Sequence, residues 1–441
     1  MSSKTKFTSA KEGAMPALVP KLRFPEFRGT EGWTPVTLQN ASTPVTERVG
    51  ERKLTPVSIS AGIGFVPQAD KFGRDISGNQ YQLYTLVSDG DFVYNKGNSL
   101  KFPQGCVYQL QGWGQVAAPN VFICFRLKDG YSDVFFQNCF EQNMHGKQLK
   151  KHITSGARSN GLLNISKETF FGVEIPTPGS AEQQKIAECL SSVDELIAAQ
   201  ARKVDALKTH KNGLMQQLFP REGKTQPRLR FPEYQKAGHW EKKPFSDLCD
   251  IRHGYAFEGK FFSNEGDYVL LTPGNFYEQG GYRDRGQQQK YYIGQIPHDY
   301  VLAKGDLLVA MTEQAAGLLG SPILVPESGK FLHNQRLGLV ARKPGVAWAN
   351  EFFFHVFNTQ PVRKAIHDTA SGAKVRHTSP TKIGAVTISV PTSLSEQKRI
   401  ASCLSSLDAM ITAESQKLQA LKIHKKGLMQ QLFPSPEEVE A

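Results

Sequence analysis

The chain has 441 residues, of which 39% are hydrophobic and 21% charged, and its formal net charge is +12. This length allows two or three domains, and no apolar run approaches the roughly 18 residues that a membrane helix needs. The basic excess suits a polyanionic partner such as DNA, although proteins that bind no polyanion can carry a similar excess.

The N-terminus and the cysteines both bear on where the protein resides. Residues 1–20 are polar and lack the apolar stretch of a signal peptide, which predicts a disordered tail on a cytoplasmic protein. No cysteine belongs to a C-x-x-C pair or lies at zinc-ligand spacing from a histidine, which favours buried free thiols in a reducing compartment and predicts no metal site. The cysteines are Cys106, Cys124, Cys139, Cys189, Cys249 and Cys403.

Two globular domains are predicted, over residues 21–179 and over residues 221–394, the second with a linker at its start. Short β-rich runs, such as 91–94 in the first domain and 306–309 in the second, are separated by glycine, asparagine and proline. Shorter helical stretches lie between the runs. The pattern predicts two similar α+β domains, each with a mixed or antiparallel sheet.

A long helix is predicted after each domain, over residues 180–220 and 395–434, and an acidic tail follows at 435–441. Residues 182–220 and 396–434 align without gaps, with 25 of 39 positions identical. LRFPEF and Trp33 in the first half match LRFPEY and Trp240 in the second. The chain is therefore a duplication, and each copy has a lead-in segment (22–33 or 229–240), a domain and a helix.

Apolar residues recur three and four positions apart along both helices, as a coiled-coil seam requires. The seam is interrupted at matched positions, by Gln200 and Lys211 in the first helix and by Glu414 and Lys425 in the second. The predicted seam residues are Ile186, Leu190, Val193, Ile197, Val204, Leu207, Leu214 and Leu218 in the first helix, and Ile400, Leu404, Leu407, Ile411, Leu418, Leu421, Leu428 and Leu432 in the second.

The two helices are predicted to pack on each other. A helix of about 37 residues extends about 55 Å, and so narrow a seam is not buried by one globular domain. An antiparallel coiled coil would relate the two copies by a pseudo-two-fold axis. The alternative is that each helix associates separately with other proteins.

Two local features of the helices carry further expectations. Ser180 with Gln183, and Ser393 with Glu396, resemble capping boxes at the helix starts. A matched glycine in each helix, at positions 213 and 427, costs about 1 kcal/mol of helix propensity. The presence of this glycine in both copies suggests close packing there.

The domains are diverged copies that share Gly-Asp at 90–91 and 305–306 and Ser-Gly-(Ala) at 155–157 and 371–373. Reading a DNA sequence needs donors and acceptors that reach base edges, with lysine and arginine for phosphates. Loops after the Gly-Asp pairs and around the Ser-Gly-Ala anchors are the best candidates, and solvated loops without a ligand are the alternative. The candidate DNA-binding residues are Asn95, Lys96, Asn98, Lys101, Arg158 and Asn160 in the first domain, and Thr312, Gln314, Lys374, Arg376, His377 and Thr378 in the second.

Motifs for catalysis are absent or broken. Residues 254–260 read GYAFEGK, like a phosphate-binding loop, but Phe261 stands where that loop requires serine or threonine. The sequence has neither the Asn-Pro-Pro-aromatic motif of adenine methyltransferases nor a metal-binding nuclease cluster. No catalytic residue and no cofactor is predicted for this chain. Rival hypotheses are a fused methyltransferase or nuclease, and a duplicated coiled-coil adaptor that binds only proteins.

The arrangement resembles the specificity subunits of type I restriction–modification systems. The resemblance rests on the two LRFPE segments, on Trp33 and Trp240, on the helix starts EQQKIA and EQKRIA, and on the GLMQQLFP endings. It covers about residues 20 to 434. It implies that each domain is a target-recognition domain for one half of a bipartite DNA site, and that the helices set the distance between the half-sites.

The resemblance also implies partners that carry the chemistry. Two methyltransferase (modification) subunits would dock on the helices and use S-adenosylmethionine to methylate adenine N6 in each half-site. Two restriction subunits would supply the ATP- and Mg-dependent motor and nuclease. Double-stranded DNA would be this chain's own ligand, without catalysis or membrane association. Because the domains have diverged, the target is predicted to be non-palindromic.

Overall fold

The computed structural model describes residues 18–60, 62–97, 102–153, 163–313, 317–372 and 375–434. Internal contacts divide the chain into two units, residues 1–200 with 417–441 and residues 201–416. This division passes through both long helices. Each unit therefore contains one globular domain, part of the helix that follows that domain, and part of the helix from the other copy.

The helices and strands follow the duplication. The helices are α1 (Leu38–Ala41), α2 (Gln68–Phe72), α3 (Asp133–Glu141), α4 (Met144–Lys150), α5 (Lys167–Phe171), α6 (Ser180–Leu218), α7 (Phe245–Leu248), α8 (Asn350–Phe357), α9 (Gln360–Asp368), α10 (Pro380–Gly384) and α11 (Leu394–Leu432). The strands of the first domain are β1 (Thr34–Thr37), β2 (Ser42–Pro44), β3 (Val57–Ser60), β4 (Gly64–Pro67), β5 (Thr85–Ser88), β6 (Phe92–Asn95), β7 (Cys106–Gln109), β8 (Gln115–Ala118), β9 (Ile123–Leu127) and β10 (Glu174–Thr177). Those of the second are β11 (Glu241–Pro244), β12 (Cys249–His253), β13 (Phe262–Ser263), β14 (Val269–Leu270), β15 (Tyr291–Tyr292), β16 (Leu307–Ala310), β17 (Thr312–Glu313), β18 (Pro322–Leu324), β19 (Phe331–Leu332), β20 (Leu337–Arg342), β21 (Arg376–His377) and β22 (Thr387–Val390).

Each domain is built on a four-stranded antiparallel sheet. The strand order is β2-β9-β6-β7 in the first domain and β12-β20-β16-β18 in the second, which is the same topology. In both domains the first and last strands pair, β1 with β10 and β11 with β22. The predicted α+β class with a mixed or antiparallel sheet is confirmed; a smaller sheet in the second domain includes one parallel pair, β14 with β19.

A buried carboxylate joins each lead-in segment to the start of a long helix. The Arg23 guanidinium donates to both carboxylate oxygens of Glu182 at 2.8 and 2.7 Å, and Trp33 Nε1 donates to the same carboxylate at 3.3 Å. Arg23 and Glu182 are 7% and 3% exposed. A bidentate, charge-assisted pair of this kind fixes orientation as well as contact, so it ties together the two ends of the first domain.

The second unit repeats this arrangement. Arg230 donates to both oxygens of Glu396 at 2.7 and 2.8 Å, and Trp240 Nε1 donates to the same carboxylate at 3.1 Å. We call each Arg-Trp-Glu group the clasp of its unit. The clasps explain the arginine of each LRFPE block and the matched tryptophans, because these side chains bind one buried carboxylate in each unit.

The capping-box prediction is wrong in its detail for both helices. Helix α6 begins at Ser180, and the amides of Glu182 and Gln183 donate to the carbonyl of Gly179. In α11 the hydroxyl of Ser393 does accept from the amide of Glu396 at 3.4 Å. The Gln183 side chain accepts from the amide of Ser132 and donates to the carbonyl of Pro178, both at 2.9 Å, instead of completing a reciprocal box. The Glu396 carboxylate binds the clasp arginine instead.

The phenylalanine of each GLMQQLFP ending belongs to a domain core. Phe433 packs edge-on against Trp33 with ring centroids 5.9 Å apart, and it also contacts Phe135. In the second unit Phe219 contacts Trp240 and Phe352 at 6.4 and 5.6 Å. Aromatic pairs in this geometry add to the free energy of burial. Each core therefore uses the end of one long helix as well as the start of the other.

The long helices run antiparallel, as predicted. In the second unit Lys203 pairs with Glu414 and Lys211 pairs with Asp408, so one sequence number rises as the other falls. In the first unit Lys425 pairs with Asp194 at 2.8 Å. Lys211 and Lys425 were the matched interruptions of the apolar seam, and the structure explains them, because each meets an aspartate of the facing helix.

The structure places every predicted seam residue at a buried or half-buried position. Leu196 and Met410, which are matched apolar residues outside the predicted seam, are 55% and 47% exposed. The burial therefore follows the heptad positions and not hydrophobicity alone. In the described part of the chain, no helix combines the length and the apolar character of a membrane span.

The expectation of close packing at the helix glycines is wrong within each unit. A Cβ built on Gly213 or Gly427 would meet no atom within 4 Å outside its own helical turns. Both glycines therefore reduce helix stability without allowing a close contact in this chain.

Replacing Gly213 with alanine is expected to raise the free energy of unfolding of the second unit by about 1 kcal/mol, because alanine favours the helix and the site is open. Urea denaturation would measure the change. Gly238 is a matched control, since it is equally uncrowded but lies outside any helix; G238A should gain no helix propensity. Destabilisation by G213A would show that the helix is closely packed there after all.

Candidate nucleic-acid interface

The candidate binding residues and the Gly-Asp turns lie at opposite ends of the main sheet. In the first domain β6 follows the Gly-Asp pair and finishes at Asn95, and the segment after it contains the candidate binding residues. In the second domain β16 likewise follows Gly-Asp and finishes at Ala310. We call the end of each main sheet where β6 or β16 finishes its loop end. Among the described residues, Asn95 and Lys96 in the first domain and Thr312 in the second therefore lie at equivalent ends of the two sheets.

The Gly-Asp pairs themselves form turns at the opposite end. Gly90 and Gly305 have positive φ angles of 95° and 84°, which glycine adopts without strain. The Asp91 carboxylate accepts from the amide of Ser88 at 2.8 Å and pairs with Arg126 at 2.7 Å. The Asp306 carboxylate accepts from the amide of Ala303 at 2.8 Å. These contacts account for the shared Gly-Asp as turn chemistry.

At the loop end of the second domain, the two candidate segments meet. Strands β17 and β21 pair antiparallel, with Thr312 opposite His377, and the amide of Thr378 donates to the carbonyl of Met311 at 2.9 Å. The chain after β16 and the chain after the Ser-Gly-Ala anchor thus form one surface. Sequence positions more than 60 residues apart are brought together there.

The second-domain candidates differ in how free their side chains are. His377 is exposed and Thr312 is half-buried, whereas Thr378 is only 9% exposed. The Arg376 guanidinium donates to the carbonyl of His367 at 3.2 Å and also contacts the His367 ring. Arg376 therefore holds β21 against the end of α9. Its guanidinium would have to leave these contacts to reach a nucleic acid.

The half-buried Arg363 lies close to Glu313 of β17. The Arg363 guanidinium donates to the carbonyl of Gly317, and burial lowers the pKa of Arg363 to about 10, with Glu313 and Glu278 acting in the opposite direction. The side chain stays protonated at neutral pH. The Glu313 carboxylate, 4% exposed, accepts from the amide of Leu319 at 2.8 Å. These contacts fix the backbone at Gly317 and Leu319.

The first domain shows a similar meeting of segments. The amide of Leu163 donates to the carbonyl of Lys96 at 2.9 Å, which brings the chain after the Ser-Gly-Ala anchor to the end of β6. The Asn95 side chain accepts from the amide of Gly97 at 2.8 Å and donates to the carbonyl of Ile59 at 3.2 Å. Asn95 therefore shapes the loop, and Lys96 is half-buried beside it.

Half of the candidate binding residues lie outside the described residues. These are Asn98, Lys101, Arg158, Asn160, Gln314 and Lys374.

Sequence reasoning missed several exposed polar side chains at the loop ends. In the second domain His253 finishes β12, and Gln335 and Arg336 immediately precede β20. In the first domain Arg48, Asn120 and Lys167 are exposed and line one shared pocket. The signal that places them is strand register, which the sequence alone did not supply. They increase the density of donors and positive charge at the loop ends, as contact with DNA bases and phosphates requires.

The histidine, cysteine and acidic side chains bear on whether this chain could bind a metal ion or use a reactive thiol. No group of three or more His, Cys, Asp or Glu side chains that could hold a metal ion occurs among the residues described. All six cysteines are free. Burial raises the pKa of Cys124 and Cys249 to about 12 and that of Cys106 to about 11, so these thiols stay protonated at neutral pH.

The comparisons with known proteins agree with this architecture. The family model described as type I restriction modification DNA specificity domain matches residues 108–209 and 238–422, together more than half of the chain. The chain is 23% identical over 291 residues to the type I restriction enzyme MjaVIII specificity subunit of Methanocaldococcus jannaschii, covering 65% of this chain and 67% of that protein. It is 28% identical over 184 residues to the EcoBI specificity subunit of Escherichia coli, covering 41% of this chain and 35% of that protein.

A solved structure shares the whole fold. The crystal structure of a type I restriction–modification system S subunit from M. genitalium matches with a TM-score of 0.57 at 13% identity, over 95% of this chain and 100% of that chain. At this identity the likeness concerns the fold alone.

Proposed function

Because the chain belongs to the family of type I restriction–modification DNA specificity domains, we propose that it reads a bipartite, asymmetric DNA target. Each domain would contact one half-site through its loop end. The observation that carries the proposal is that two domains of the same topology present different side chains at equivalent loop ends. Two domains with the same fold but different loop-end side chains would suit two half-sites of different sequence.

The long helices support the second part of the proposal, that they set the spacing of the half-sites and dock two methyltransferase subunits. Helices of 39 residues extend about 58 Å, more than the roughly 34 Å of one DNA turn. Their near-identity in the two copies would give two equal partners equal docking positions. A methylated adenine must leave the base stack, which costs a few kcal/mol, and a firm grip on flanking bases would help to hold the distorted duplex.

All chemistry is assigned to the partners in this proposal. The methyltransferase subunits would use S-adenosylmethionine, and two restriction subunits would use ATP and Mg. This chain would contribute sequence recognition without a catalytic residue of its own. The cytoplasmic location inferred from the sequence belongs to the same proposal.

The experiment that tests the proposal compares the N6-methyladenine pattern of genomic DNA from two cell populations. One expresses this chain with its methyltransferase subunit, and the other expresses the methyltransferase subunit alone. A methylated bipartite motif that appears only with this chain is the expected result. The absence of any new motif from a complex that has assembled would contradict the proposal.

DNA binding by that assembled complex separates the remaining alternatives. Affinity that falls steeply with salt and depends on sequence is expected of a DNA reader, because phosphate contacts release counterions. A protein-binding adaptor would show neither dependence. Methylation by the isolated chain would instead favour a fused enzyme.

A further inference from the structure

A tight turn stands directly before a central strand of the main sheet in each domain. The amide of Phe122 donates to the carbonyl of Pro119 at 3.0 Å, and the amide of Leu337 donates to the carbonyl of Asn334 at 2.9 Å. Strands β9 and β20 then occupy the same place in the sheet order. We call residues 119–122 and 334–337 the pre-strand turns. They are structural equivalents at a constant offset of 215, although no sequence similarity marks them.

Strand register places both turns at the loop ends. Ile123 lies opposite Tyr94, next to the finish of β6. Leu337 lies opposite Ala310, the last residue of β16, and the amide of Met311 donates to the carbonyl of Arg336 at 3.0 Å. Each turn therefore lies beside the end of β6 or β16, which the described candidates Lys96 and Thr312 follow.

The backbone of the second-domain turn is held on several sides. The amide of Tyr255 donates to the carbonyl of His333 at 2.9 Å, and the amide of Gln335 donates to the carbonyl of Tyr255 at 3.0 Å. The Asn334 side chain accepts from the amide of Arg336 at 3.1 Å. A Cβ on Gly254 would lie 2.4 Å from the Asn334 carbonyl, so only glycine permits this approach. These contacts fix the backbone conformation of the turn, and so the positions from which its side chains project.

The residues at the tips of the two turns have exposed side chains. Gln335 and Arg336 are exposed, and in the described part of the chain neither side chain has a hydrogen bond or an ion pair. Asn120 is likewise exposed, and Val121 is an apolar side chain that is 44% exposed at the tip of its turn. Rigid backbone with free, exposed side chains is the arrangement that base readout needs, because little conformational entropy of the backbone is lost on binding.

The chemistry of the four tip residues corresponds to base edges. Arginine recognises guanine through two hydrogen bonds, glutamine and asparagine recognise adenine in the same way, and apolar side chains contact the thymine methyl group. Basic or imidazole side chains flank both turns. Arg48 and Lys167 line the pocket that contains Asn120, and Arg252 and His253 are exposed at the end of β12. These are positions suited to phosphate contacts around a base contact.

We propose that the pre-strand turns determine sequence specificity, with Gln335 and Arg336 reading adjacent base pairs of one half-site and Asn120 and Val121 reading base pairs of the other. The inference rests on the proposed DNA-reading function and names residues for it. The two turns occupy equivalent places in the two domains but have different residues at their tips, and this difference would give each domain a different target sequence.

The test uses the full chain with its methyltransferase subunit in cells, and N6-methyladenine mapping as the readout. R336A is expected to make one base position of one half-site degenerate, with about 5- to 150-fold loss of discrimination there, the range for one bidentate contact. The other half-site should be unchanged. N120A should relax one position in that other half-site. R342A is the matched control, because Arg342 is an exposed arginine at the opposite end of the same strand, and it should leave the motif unchanged.

The outcomes separate this inference from the function on which it rests. No motif with the wild-type chain would overturn the proposed function itself. A wild-type motif that persists unaltered in R336A, Q335A and N120A would overturn the inference and leave the function intact.

A variant that abolishes methylation is examined by a second measurement. The purified complex selects binders from a duplex library in which one half-site is randomised. Enrichment without preference at one position supports a reading role. Retention of the full wild-type preference at lower affinity would show that Arg336 contributes affinity only, and would overturn the inference.

Discussion

Replacing Arg23 with alanine is expected to lower the free energy of unfolding of the first unit by about 3–5 kcal/mol. Arg23 and Glu182 are almost fully buried, and the guanidinium satisfies both carboxylate oxygens. Removal of the cation leaves a buried negative charge for which, among the described residues, Trp33 Nε1 is the remaining side-chain donor. Urea denaturation followed by tryptophan fluorescence would measure the loss.

Two control variants show whether the effect comes from the buried pair. K185A removes an exposed ion pair with Glu26 next to the clasp, where both side chains are 46% exposed, and should cost no more than about 1 kcal/mol. R230A should reproduce the large loss in the second unit, because Arg230 and Glu396 form the equivalent clasp. A cost for R23A as small as that of K185A would contradict the role assigned to the clasps.

Acidification below pH 6 is expected to destabilise both units through two buried histidines. Burial lowers the pKa of His145 to about 4, and burial together with the charge of Lys211 lowers that of His355 to about 3. In the unfolded chain each histidine takes up a proton near pH 6.5. The stability that depends on the neutral ring is therefore complete above pH 6.5 and is lost as pH falls toward the folded pKa, by about 1.4 kcal/mol per pH unit for each histidine.

The duplication itself supplies the variant that tests this expectation. Asn138 occupies in α3 the position that His355 occupies in α8, three residues after a buried phenylalanine in each case, and both are buried. H355N should flatten the acid-induced loss in the second unit between pH 6 and 4.5, a window above most carboxylate titration. H210N makes the same substitution at an exposed histidine of α6 and serves as the matched control. An unaltered slope in H355N would show that His355 is not the titrating group.

The sequence alone determined the large-scale organisation of this protein. The duplication, the long helices and the seam follow from residue spacings along the chain. A heptad repeat defines the buried face of a helix regardless of the surrounding structure. The α+β class followed from short β-rich runs punctuated by turn residues. The antiparallel helix pair followed from a seam too long for one domain to cover. These features are local or periodic, so reading them requires no knowledge of distant contacts.

Tertiary structure alone decided what the individual polar side chains do. Glu396 reads as a capping residue, but its carboxylate binds an arginine 166 positions earlier. Arg376 reads as a free DNA contact, but its guanidinium is engaged with His367. The pre-strand turns have no sequence signature, because their equivalence arises from strand register. A side chain's partner depends on which segments the fold brings within about 3 Å, and for these residues that choice is made by packing between parts of the chain that are remote in sequence.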